Sequence, residues 1–134
     1  MDLMQNFKAS LGLTLSNTSG SLTNPKWKES SDIEFTVKHR KVETVVTIPA
    51  NSSLTLSLTS MGFTQVNFFW LVVLEPNKSV VLRFDGDPNG VLINPPDATR
   101  KGFFAAVCNF NSLVIENPSL TDPVAISYLV VEKA

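Results

Sequence analysis

Short runs in which apolar and polar residues alternate, broken roughly every ten residues by Pro, Gly, Asn or Asp, restrict the fold of this chain more than any other feature. A period of two is what a sheet with one buried and one wet face requires. Ile33, Phe35 and Val37 alternate with Glu34, Thr36 and Lys38, and Leu54, Leu56 and Leu58 with Thr55, Ser57 and Thr59, before Ser60-Met61-Gly62 ends the run. Further strands are predicted over Val42 to Ile48, Val66 to Leu74, Ser79 to Asp85, Val91 to Ile93, Phe103 to Phe110, Leu113 to Glu116 and Val124 to Glu132. No long helical period or internal repeat competes with them. The pattern predicts an all-β chain folded as an antiparallel β-sandwich of eight to nine strands.

Two stretches carry more detail. In Val66 to Leu74 both parities are apolar, with Phe68, Trp70 and Val72 on one side and Phe69, Leu71 and Val73 on the other, so this strand should be covered on both faces, by its own chain or by a partner. Glu75-Pro76-Asn77-Lys78 reads as the turn of a hairpin, and Lys38-His39-Arg40-Lys41 as a second hairpin turn. Residues 1 to 32 depart from the pattern: Leu3, Met4, Phe7 and Leu11 fit helical spacing, whereas Leu11, Leu13 and Leu15 fit a strand. The expectation is an arm or short helix leading into a strand, and then a long polar loop, Ser16 to Asp32, carrying Trp27. This divides the chain into an N-terminal arm and loop, 1–32, and a sandwich domain, 33–134.

A length of 134 residues is one domain's worth of chain. Eleven basic against twelve acidic side chains leave a net charge of -1, with no general field to gather phosphate backbones, so no nucleic-acid partner is expected. The first residues lack a basic segment followed by an apolar core, so no secretory signal is expected. No apolar run approaches the ~20 residues of a spanning helix, so no membrane partner is expected.

Site chemistry is sparse. Asp85-x-Asp87-x-Asn89-Gly90 opens like a calcium loop, but position twelve is Pro96 where a bidentate Glu belongs, and the flanks read as strands, so a Gly- and Asp-rich turn is the expectation. His39 is the single histidine and sits among cations in a predicted solvated turn; Cys108 is the single cysteine, read as a small buried hydrophobe. Glu34, Glu43, Glu75, Glu116 and Glu132 all read as solvent-facing positions in or beside strands. No phosphate loop, HExxH or GxSxG occurs. The chain is expected to be no enzyme, with no catalytic residue, no metal site and no cofactor.

What remains is surplus apolar surface. Leu3, Met4, Phe7, Leu11 and Trp27 are the candidate protein-interface residues, because exposed apolar patches mark contacts between subunits. From Val42 onward the chain resembles the small all-β structural proteins of tailed-phage virions, especially head decoration or cement proteins. The segments that carry the likeness are 47 to 58 (Thr-Ile-Pro-Ala-Asn-Ser-Ser-Leu-Thr-Leu-Ser-Leu), 79 to 86 (Ser-Val-Val-Leu-Arg-Phe-Asp-Gly), and Phe110 to Pro118 leading into the C-terminal strand. The resemblance implies a jelly-roll-like sandwich, assembled as a homotrimer, that binds across major capsid protein subunits on the outer surface of the virion's capsid. The alternative is a carbohydrate- or receptor-binding β-sandwich of a tail or baseplate, with Trp27 or Trp70 as a stacking platform.

Overall fold

Nine strands run through the computed structural model, which describes residues 5–15 and 27–134, and side chains over 5–13 and 31–134. In chain order they are β1 (Gln5–Leu15), β2 (Trp27–Ile48), β3 (Ser53–Ser57), β4 (Phe68–Val73), β5 (Val80–Phe84), β6 (Val91–Ile93), β7 (Phe103–Ala106), β8 (Ser112–Glu116) and β9 (Val124–Lys133). One short helix, α1 (Leu58–Met61), follows β3. The strands form a five-stranded sheet, β1-β2-β9-β4-β7, and a four-stranded sheet, β3-β8-β5-β6.

The pairings are nested. β2 pairs with β9, β3 with β8, β4 with β7 and β5 with β6, all antiparallel. That is one long eight-stranded hairpin, folded so that successive pairs fall alternately into two sheets, which defines a jelly roll. β1 is an addition at the outer side of β2.

Facing side chains of the two sheets make the main core. Phe69, Leu71 and Val73 of β4 and Ile126, Tyr128 and Val130 of β9 pack against Val80 and Leu82 of β5 and Leu113 and Ile115 of β8. The Phe69 ring meets Phe110 edge-on at 6.0 Å between centroids. Each such side chain contributes about 1.5–3 kcal/mol through burial. Asp85 to Gly90 turns β5 into β6, and Gly90 takes φ 68° with its α-carbon against β5. A Cβ at Gly90 would stand 2.6 Å from Val81 Cγ1 and 3.2 Å from the Leu82 carbonyl oxygen. Gly90→Ala should therefore cost about 2 kcal/mol, read as a lower urea midpoint.

Four local expectations need correction. Lys38 to Lys41 is not a turn: it lies inside the 22-residue strand β2. None of its residues favours a turn, and the local irregularity is a bulge, since Val37 pairs with Lys133 but His39 with Glu132, leaving Lys38 extra. The bulge swaps faces, so Phe35 and Val37 point to the outer side of the sheet and His39 to the inner. Second, Glu75 to Lys78 joins two sheets and makes no hairpin, because β4 and β5 belong to different layers. Third, Leu58 leaves the alternation of β3 to begin α1, where Ser57 Oγ accepts from the Ser60 amide at 3.1 Å and Ser60 Oγ from the Ser57 amide at 3.2 Å. Fourth, the strand expected at Leu11 to Leu15 begins earlier, and Gln5 to Ser10 is neither helix nor loose arm: Gln5 to Leu15 is one strand, paired with residues 27–37 from Gln5 opposite Val37 to Leu15 opposite Trp27. Trp27 to Asp32 is thus strand and not loop. Leu3, Met4 and residues 16–26 lie outside the described residues.

Candidate interaction surface

β9 stops pairing with β2 at Val37, so the N-terminal half of β2 continues with β1 alone as a two-stranded hairpin. Sheet order separates β1 from β4 by three strand spacings, about 14 Å if the sheet were flat. Yet the Phe7 ring of β1 lies 4.8 Å from the Phe68 ring of β4, centroid to centroid. The sheet must therefore curl, carrying the hairpin back over its own outer face.

Under the hairpin lies a second apolar cluster. Phe35, Phe68 and Val131 are buried there, with Phe7, Ala9, Ile33, Val37, Trp70 and Leu129 packed against them. Phe7 also sits 5.2 Å from Phe35. This explains the two apolar parities of β4: one face belongs to the main core and the other to this outer cluster, and its own chain supplies much of the cover.

The cover is incomplete. Between the hairpin and β7 runs a trough of about 380 Å³ lined by Ala9, Leu11, Ile33, Phe68, Trp70, Phe103 and Val107. Beyond Phe7 a second hollow of about 550 Å³ is lined by Val37, Arg40, Val42, Trp70, Ser127 and Leu129. Trp70 is half-buried between the two. Phe103 and Val107 are 63% and 68% exposed, Leu11 and Leu13 48% each, on a face whose remaining residues are also largely apolar. An apolar outer face on a sandwich sheet has no use in water alone.

No family model, curated protein or solved structure matches the chain. The surface therefore rests on its own chemistry. Of the candidate interface residues, Phe7 is half-buried in the outer cluster and holds the hairpin down, whereas Leu11 lines the trough. Trp27 opens β2, and its side chain, like Leu3 and Met4 as a whole, is outside the described part. The structure adds Phe103, Val107 and Val42, which sequence alone did not single out. The signal of Phe103 and Val107 lies in the alternating parity of that segment, but nothing local tells which parity faces out.

One linked pair of titratable side chains, Glu132 and His39, sits at the root of the hairpin. Glu132, expected at the surface, is 1% exposed. Its Oε1 accepts from the Thr64 amide at 3.1 Å and from the Thr64 hydroxyl, and its Oε2 takes His39 Nδ1 at 2.7 Å. A carboxylate can only accept, so Nδ1 carries the proton. The His39 ring stacks on Phe63 at 5.7 Å. Burial alone would raise the Glu132 pKa, but the hydrogen bonds from Thr64 and His39 and the charge of Lys38 overcome it and hold the carboxyl at about 2. Chemically this is a structural clasp joining β2, β9 and the segment after α1, with its acceptor oxygens consumed.

Other candidates are similarly engaged. Asp85 Oδ1 accepts from the Asn111 and Ser112 amides at 2.7 and 3.0 Å, and Asp87 Oδ1 from the Asn89 amide at 2.9 Å, so both carboxylates brace turns. Among the described residues no group of three His, Cys, Asp or Glu side chains stands ready for a metal ion. Cys108 packs half-buried against the main core, where burial pushes its thiol pKa up and suppresses the nucleophilic thiolate. Glu116 pairs with Arg83 at 3.0 Å and Glu75 with Lys78 at 2.7 Å.

Proposed function

We propose that this chain is a non-enzymatic structural protein that works by adhesion, a jelly-roll module that decorates and stabilises a phage capsid by seating across major capsid protein subunits. The observation that carries the reading is the apolar outer face of the five-stranded sheet, left open along the trough between the hairpin and β7. Protein interfaces bury such faces at about 25 cal/mol per Å², and many copies on a shell multiply a modest gain per site. The resemblance of segments 47 to 58 and 79 to 86 to head decoration proteins supplies the choice of shell. The trough favours protein over sugar: a carbohydrate platform needs polar groups converging on its aromatic face, whereas Ser10, Ser31 and Asp32 are a minority of this lining and Phe68, Phe103, Ala105 and Val107 make most of its wall.

The test uses two exposed positions that the fold does not need. Phe103→Ser with Val107→Ser should leave the unfolding free energy, read from urea titration, within about 0.5 kcal/mol of wild type. The same double variant should weaken co-sedimentation with shells of the major capsid protein from the same genome by at least about tenfold, from two lost apolar anchors. Undiminished sedimentation would sink the reading. Glycan-array binding lost in the double variant would replace it with the receptor-binding alternative.

A further inference from the structure

A sheet edge presents a row of unpaired N–H and C=O groups, and natural sheets blunt it with short strands, prolines, bulges or charge. Beyond the end of β9, residues 27–35 of β2 are open on one side, and Lys28, Glu29, Asp32 and Glu34 put charge along them. Of the four outermost strands three are short: β7 has four residues, β3 five and β6 three. The fourth is β1. It has eleven residues, about 36 Å of strand, no proline, a single charge at Lys8 and an unbroken register with β2. Among the described residues no backbone group of β1 bonds to any element other than β2.

We infer that the free edge of β1 pairs antiparallel with the β1 edge of a second copy of this chain across a two-fold axis, joining two five-stranded sheets into one. The sequence of β1 is complementary to itself. Overlap of all eleven residues centres on Ser10, which then faces its own copy. In that register Phe7 meets Leu13 and Ala9 meets Leu11 on one face, and Lys8 meets Gly12 on the other. Leu11 and Leu13, half-exposed in a single chain, gain apolar neighbours, and the one charge of the strand meets no like charge. The apolar stripe Phe7-Ala9-Leu11-Leu13 outruns the sheet its own hairpin covers, and the second copy extends that sheet.

This pairing goes beyond the capsid reading and does not depend on it. The full chain, at about 100 μM in light-scattering chromatography, should elute with twice its 14.7 kDa mass. Ser10 is exposed, so Ser10→Lys should keep the wild-type circular dichroism and, at a protein concentration dilute enough that both proteins are monomeric, the wild-type urea midpoint, while setting two like charges opposite each other in the dimer. Its dimer should dissociate at least about tenfold more readily. Ser10→Cys should oxidise to a disulfide-linked dimer, because opposed residues of an antiparallel pair place their α-carbons about 4.5–5.5 Å apart. Wild type, which retains Cys108, is the control. A monomeric wild type, an assembly of any size that Ser10→Lys leaves intact, or Ser10→Cys cross-linking no better than wild type overturns the pairing. Shell co-sedimentation run in parallel keeps the two readings apart. A monomer that still sediments with shells overturns only the pairing, and a dimer that does not overturns only the decoration.

Discussion

Glu132→Ala should lower the stability of the chain by about 2–3 kcal/mol, because a buried carboxylate and the hydrogen bonds it accepts are lost together. The carboxylate is buried and holds three donors: the Thr64 amide, the Thr64 hydroxyl and His39 Nδ1. Alanine removes the acceptor of all three at once and leaves a cavity on their inner side, while Thr64 and the half-exposed His39 keep solvent on the other. Glu132→Gln separates charge from shape. Its oxygen still serves Thr64, and its amide nitrogen faces His39, which can accept at Nδ1 by moving its proton to Nε2. A loss of only about 1–2 kcal/mol is expected, read from urea unfolding at pH 7. Equal losses in the two variants would mean that packing and not the clasp matters there.

The same residue sets an acid limit. Its carboxyl titrates at about 2 in the fold against an ordinary 4.5. A depressed carboxyl stabilises the folded state fully above its unfolded value, so the contribution is present above pH 4.5 and disappears as pH falls from there towards 2. Glu132→Gln removes that component. Wild type should therefore lose stability more steeply than the variant between pH 4.5 and 2, and the two curves should converge at the acid end. Because the clasp sits where the hairpin leaves the sandwich, acid should loosen the hairpin root before the main core, seen as earlier amide exchange in β1 than in β9.

How far the sequence discloses this arrangement depends on the range of the interactions involved. β5, β6 and β8 emerge from local alternation bounded by turn residues, since one face of each strand meets the core and the other meets water, and β9 from its run of apolar and β-branched residues. β1 carried an equally clear signal in Phe7, Ala9, Leu11, Leu13 and Leu15 against Lys8, Ser10, Gly12 and Thr14. Its leading residues also satisfy helical spacing, and short windows cannot separate the two periods. The union of two segments into β2 was hidden because a bulge at Lys38 shifts the parity, and a shift of parity in sequence looks like a turn. Glu132 had no local mark at all. Its partners Thr64 and His39 lie 68 and 93 residues away and meet it only once β2 and β9 pair and the segment after α1 folds over them. The outer trough has the same origin, since the curl that brings Phe7 to Phe68 is a property of the whole sheet.

Asn117→Ala should cost about 3 kcal/mol, because one side chain ties together three connections at the end of the sandwich opposite in chain order to the clasp. Asn117 is 2% exposed. Its Nδ2, with two protons for three acceptors, stands within bonding distance of the carbonyl oxygens of Ile48 at 3.1 Å, Pro49 at 3.2 Å and Asp122 at 2.8 Å, and its Oδ1 accepts from the Ser119 amide at 3.0 Å. Its own amide donates to Ser52 at 2.9 Å. The exit of β2, the entry to β3 and the β8–β9 loop are thereby fixed in one geometry, which sets where β9 begins its pairing with β2. Asn117→Asp is the sharper variant. It has the same shape but, when ionised, no donor, and it would press a carboxylate against three carbonyl oxygens, a desolvated repulsion that should exceed the alanine loss at pH 7. The introduced carboxyl should have a raised pKa, since only its neutral form can donate. A raised carboxyl destabilises above its folded pKa and recovers as pH falls through it, so this variant should gain stability relative to wild type from pH 7 down to pH 5, while Asn117→Ala stays level. Urea midpoints of the three proteins across that range decide it: parallel curves for the alanine and aspartate variants would show that the side chain's hydrogen bonds are not what holds these loops.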